Sequence, residues 1–167
     1  MTEAPVTVSR REPQALLRLE IWGDIPAVGA RTALPDPLRA IDVADGHLIW
    51  IEPGAWMLRA PLTSLSASFA RLEALAGEDG AVIDITGGLA RFTLAGAAWR
   101  ELLTIGGVFD VEDPAFAPGC TAATVLHHIA IWIDVIRDDA ADVYCLPSYA
   151  EELAQAWARG LARMASD

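Results

Sequence analysis

The alternation of apolar and polar positions marks out the first elements. "ALLRLEIWG" over residues 15–23 alternates well enough to predict a strand. Residues 24–45, rich in Pro, Ala and Gly, predict an ordered surface loop. "HLIWIEPGAWMLRAP" predicts two strands joined at Glu52-Pro53-Gly54, with Trp50 and Trp56 as packing residues rather than a ligand cage. In "LTSLSASFARLEALAG" Leu65, Phe69, Leu72 and Leu75 fall on one helical face, with Thr63 expected as N-cap and Gly77 as the stop.

Further along, "AVIDITG" and "LARFTLAG" predict a second strand pair with Gly87-Gly88 as a hairpin connection, followed by a short helix in "AAWRELLTIG". "FDVEDPAFAPG" predicts a loop. "CTAATVLHHIAIWIDVIR" has a period of two and predicts one long strand or two in sequence. "DDAAD" is expected to turn the chain into "VYCLP". The last helix is expected from Ser148, with Glu151 completing a capping box and Leu153, Trp157, Leu161 and Met164 forming the buried stripe. Residues 1–13 are expected as a flexible tail and residues 14–167 as a single domain. Paired strands each followed by a covering helix predict an α+β fold with largely antiparallel sheets.

Composition narrows the function. The chain has 167 residues, is 53% hydrophobic, and balances 12 basic against 23 acidic residues for a net charge of −11. That field disfavours nucleic acid and anionic lipid as partners. Every cationic side chain is Arg, so Schiff-base chemistry and a phosphate-binding P-loop lysine are excluded. Cys120 and Cys145 are expected as free buried thiols in a reducing compartment, the start has no apolar export segment, and 129–136 is too short to span a bilayer. A cytoplasmic protein is expected.

Candidate chemistry does not assemble into a catalytic set. Gly87-Gly88 leads into a strand, whereas a dinucleotide cradle needs a helix N-terminus there. His127 and His128, as adjacent strand residues, would point to opposite faces and could not chelate one ion together. His128 and Asp134 could share a face, but no third ligand stands out. Cys120 and Cys145 lack an activating pattern, Ser148 is expected to cap a helix, and no G-x-S-x-G elbow occurs. The carboxylates of "FDVEDP" and "RDDAAD" are expected as solvated turn residues. No catalytic, cofactor-binding or metal-ligating residue is assigned.

"LIWIEPGAWML", "DITGGLARFTLAGAAWRELL", "FAPGCTAATVLHHIAIWI" and "PSYAEELAQAW" occur in an order and spacing that resemble the gamma subunit of heterotetrameric sarcosine oxidase, from about Leu16 to the last helix. That family is similar to the folate-binding domain of the glycine-cleavage aminomethyltransferase. The resemblance therefore implies two ferredoxin-like halves, with Asp84 and Thr86 where the folate-binding relatives carry Asp-x-Ser. It implies a non-catalytic assembly subunit, partnered by alpha, beta and delta chains, in a complex that oxidatively demethylates sarcosine to glycine. FAD, covalent FMN, NAD and tetrahydrofolate would be held by the partner subunits, and zinc by the smallest.

Pro147 departs from the Arg that the family often places before the Ser of the last helix. Neither Asp134 nor Asp138 can be equated with the aminomethyltransferases' catalytic Asp. Two alternatives remain open: a stand-alone tetrahydrofolate-binding one-carbon-transfer protein, and the same subunit of a complex acting on another N-methyl amino acid such as N-methylglutamate. The isolated chain could also self-associate.

Overall fold

The computed structural model describes residues 6–30 and 32–165. The strands are β1 (Thr7–Arg10), β2 (Ala15–Ile21), β3 (Ala40–Val43), β4 (Gly46–Glu52), β5 (Ala55–Ala60), β6 (Gly80–Asp84), β7 (Ala90–Ala95), β8 (Thr121–Leu126), β9 (Ile129–Arg137) and β10 (Ala140–Cys145). The helices are α1 (Ile25–Gly29), α2 (Leu65–Ala76), α3 (Trp99–Thr104) and α4 (Ala150–Met164). They form an α+β fold of two antiparallel five-stranded sheets with helices, as expected. The chain divides into two compact units, Pro13–Gly88 and everything from Leu89 onward together with the segment ending at Glu12.

In the Pro13–Gly88 unit the strand order is β3-β4-β5-β2-β6. β5 and β6 both run antiparallel to β2 between them, so β5-α2-β6 is a split β-α-β crossover. Leu17, Leu19, Trp56 and Leu58 alternate toward the core with Leu72 and Ala76 of α2, while Leu65 and Phe69 are half-buried against the same cluster. The cap of α2 differs from expectation: Ser64 stands at the N-cap without a side-chain bond there, because its hydroxyl donates to the Pro61 carbonyl at 2.8 Å. The loop expected over residues 24–45 contains α1, capped by Asp24, and β3.

The second unit repeats this plan, with strand order β8-β9-β10-β7-β1. A bulge followed by a two-residue turn joins β4 to β5 and recurs between β9 and β10. Both long helices follow a 3₁₀ turn, Leu62–Ser64 before α2 and Pro147–Tyr149 before α4. One strand breaks the parallel. The place that β6 takes beside β2, after α2, is taken beside β7 by β1, from the N-terminal end of the chain.

Two expectations are corrected here. Thr7–Arg10 was expected in a flexible tail, yet it pairs with β7 from Thr7↔Ala95 to Arg10↔Phe92, and Val6 is buried; residues 1–5 of that expected tail lie outside the described residues. Gly87-Gly88 does not turn a hairpin. β6 pairs with β2 and β7 with β1 and β10, so the glycines link two sheets. The physical reason is that β2 and β10 offer each strand a better-matched neighbour than it has in sequence.

The core of this second unit gathers Phe92, Leu94, Trp99, Leu102, Ile131, Ile133, Leu153 and Trp157. Phe92 meets Trp157 edge to face at 5.2 Å between ring centres, and the Trp99 indole N–H donates to the Asp138 carbonyl at 2.9 Å. α4 starts at Ala150, so the capping box expected from Ser148 does not form: the Pro147–Tyr149 turn takes those residues. Leu153 and Trp157 form its buried stripe, with Leu161 and Met164 half-buried beside them.

Candidate functional site

Two features of the second unit combine charge with concavity or burial. The first is a row of polar residues across its sheet. Pairing aligns Ser9, Thr93, Asp142, Asp134 and Thr121 on five successive strands, on the face away from Phe92, Leu94 and Val143. Thr93, Thr121, Asp134 and Asp142 are all buried. Arg91 Nη1 donates to one Asp142 oxygen at 3.0 Å, and the Thr93 hydroxyl donates to the other at 2.5 Å. Asp142 was expected among solvated turn carboxylates; its side chain is 2% exposed, because alternation along β10 turns it onto the sheet. With a hydrogen bond to each oxygen, Asp142 ties β7 to β10.

The second feature is a groove of about 400 Å³ between β1 and α4. Val8, Phe92, Ala150, Ala154, Ala158 and Leu161 give it an apolar lining, and Arg10 and Glu151 bring charge to it. The buried thiol of Cys145 is close enough to feel Arg10. Desolvation raises its pKa and the guanidinium partly opposes that rise.

The other residues weighed from sequence lie apart from one another. His127 and His128 form the two-residue turn between β8 and β9 rather than strand positions, with His127 at φ +54°. His128 Nε2 lies 3.1 Å from Glu152, away from Asp134 at mid-strand. Among the described residues no three His, Cys, Asp or Glu side chains gather as a metal site. Cys120 and Cys145 are free and buried. Asp110 and Asp113 accept from backbone N–H groups two residues on, as exposed turn residues do. Trp56 is buried and donates to the Pro35 carbonyl, and Trp50 packs against the core.

At the end of β6, Asp84 accepts from the Thr86 N–H at 2.9 Å, and bonds from Thr86 hold its carboxyl below the usual range. The Thr86 hydroxyl in turn accepts from the Leu16 N–H at 3.1 Å. The stretch therefore closes a turn on β2. The Gly87-Gly88 linker opens onto β7, so it does not fit a phosphate cradle. The Arg91–Thr93–Asp142 set was not foreseen from sequence. Strand alternation puts Arg91 and Thr93 on one face, but only the β7–β10 pairing supplies the acid.

Comparison with known proteins adds three findings. The model of the sarcosine oxidase, gamma subunit family matches residues 26–159. Heterotetrameric sarcosine oxidase from Corynebacterium sp. U-96, solved with pyrrole 2-carboxylate, is similar with a TM-score of 0.83 and 18% identity, over 97% of this chain and 87% of that one. The glycine cleavage system aminomethyltransferase T of Bartonella henselae is similar with a TM-score of 0.64 and 17% identity, over 93% of this chain and 46% of that one. The chain thus spans about half the length of that enzyme, and at these identities the two structures share its fold. Comparison with curated protein sequences gives no match. Among the described residues no helix is long and apolar enough to cross a membrane.

Proposed function

The chain belongs to the sarcosine oxidase, gamma subunit family, and from that premise we propose that it is the non-catalytic assembly subunit of a heterotetrameric complex that oxidatively demethylates sarcosine to glycine. The observation that carries this reading is the family match over residues 26–159. The geometry of the polar row supports it: the buried acid Asp142 is committed to Arg91 and Thr93. In this reading alpha, beta and delta chains are the partners, and FAD, FMN, NAD and tetrahydrofolate are bound by them. The contribution of this chain is surface and rigidity, which its two sheets and buried Trp-rich core provide.

Co-expression with the alpha, beta and delta chains of such a complex tests the proposal. A tagged form of this chain should retain those chains and a flavin absorbance on size-exclusion chromatography, and the assembly should consume sarcosine. Recovery of the tagged chain alone, with the larger chains expressed and soluble, refutes it. Saturable binding of tetrahydrofolate to the isolated chain would favour a one-carbon-transfer protein instead.

A further inference from the structure

The two units build the same strand-and-helix layer but fill it differently. In the Pro13–Gly88 unit the first and fifth residues of α2 are Leu65 and Phe69, half-buried against the core with Val82 of β6. In the other unit the first and fifth residues of α4 are Ala150 and Ala154. The strand residue corresponding to Val82 is Val8, since Val82 lies opposite Leu19 and Val8 opposite Leu94. Truncating a Leu and a Phe to Ala at the same places opens the space that is seen, the groove of about 400 Å³ over Val8 and Phe92. A volume that one unit fills from its own helix is left open by the other.

Charge indicates what fills it. Arg10 lies opposite Phe92 in the β1–β7 pairing and has no ion-pair partner among the described residues. Glu151, across the groove, accepts a hydrogen bond from Gln155 at 3.1 Å. An occupant complementary to this lining brings large apolar side chains for the alanines and a carboxylate for Arg10. A second copy is disfavoured, because each copy carries a net charge of −11. We propose that the β1–α4 groove receives a segment of one of the larger partner chains, which inserts Leu- or Phe-sized side chains beside Ala150 and Ala154 and sets an acidic residue against Arg10. This rests on the assembly role proposed above and names the surface through which it acts.

Ala154→Phe restores the side chain that α2 uses and should fill the groove from within. The variant should keep the wild-type circular dichroism and a Tm at or above wild type, yet bind the larger chains at least about tenfold more weakly. Arg10→Glu, at an exposed position, should weaken binding with no loss of fold, and Arg10→Lys should restore most of it. If Ala154→Phe unfolds the chain, the Arg10 pair decides alone. Wild-type affinity in both Ala154→Phe and Arg10→Glu, with wild type assembling normally, overturns the groove and leaves the assembly role standing. Failure of wild type itself to assemble overturns the assembly role. Wild-type self-association that Ala154→Phe abolishes would assign the groove to a second copy and overturn the proposal.

Discussion

Arg91→Ala should be among the most damaging single substitutions in the second unit, although Arg91 is not part of its apolar core. Its guanidinium lies 3.0 Å from Asp142, with side-chain exposures of 15% and 2%. At that separation and an effective dielectric of about 20, the attraction is on the order of 5 kcal/mol. Desolvation of both groups offsets much of it while the pair is intact. Removing the cation alone leaves the buried Asp142 carboxylate without its ion-pair partner, directly across the strands from a second buried carboxylate, Asp134. Loss of one member of a buried pair costs about 3–5 kcal/mol. At about 2–4 °C per kcal/mol for a chain of this size, Tm should fall by about 6–20 °C. Calorimetry and urea titration of Arg91→Ala, Asp142→Leu and the double variant Arg91→Ala/Asp142→Leu measure this. The double variant should lose clearly less than the two single changes together, since neither member of the Arg91–Asp142 pair is left without the other. A Tm drop under about 2 °C for Arg91→Ala, or additive losses, would refute the assignment of this pair as the electrostatic tie between β7 and β10.

Three further outcomes follow from the same structure. Val6→Ala, just ahead of β1, removes two buried methyl groups and should cost about 2 kcal/mol in urea unfolding, where a true tail residue would cost nothing measurable. Desolvation pushes the Asp45 carboxyl up, but hydrogen bonds from Ser68 and Arg71 together with the Arg71 charge outweigh it, so its pKa is lowered. Its contribution to stability is therefore present above the ordinary Asp range and lost as pH falls through the lowered value; Asp45→Asn should flatten the acid limb of the stability–pH curve, and an unchanged limb would contradict this. Burial raises the Cys145 thiol pKa against the opposing pull of Arg10, so the native chain should react slowly with a thiol reagent at pH 8 and release two equivalents once unfolded.

Elements with strong internal periodicity were legible in the sequence. The alternation in "ALLRLEIWG", the Pro-Gly turn after "LIWIE" and the Leu153–Trp157 stripe each specify their local structure, because backbone geometry dictates which positions share a face. The ordered motifs also identified the family, as the match over residues 26–159 shows. Short or weakly patterned pieces were not legible. Asp24-capped α1 has five residues and buries one of them, Val28, so no periodic stripe can show in its sequence.

What the sequence determined by itself was the succession of strands and helices and the residues each turns inward. Tertiary structure alone decided which strands are neighbours. Thr7–Arg10 has one half-buried residue and no pattern of its own, and it is a strand because β7 offers an edge. The strands flanking Gly87-Gly88 are adjacent in sequence yet lie in separate sheets, since pairing is settled by complementary edges and buried faces far along the chain. The same distinction governs the polar row and the groove. Arg91 and Asp142 are 51 residues apart and meet only through the β7–β10 register. Ala150 and Ala154 are ordinary helix formers in the sequence, and they become an opening only against the β1 strand that the N-terminal segment supplies.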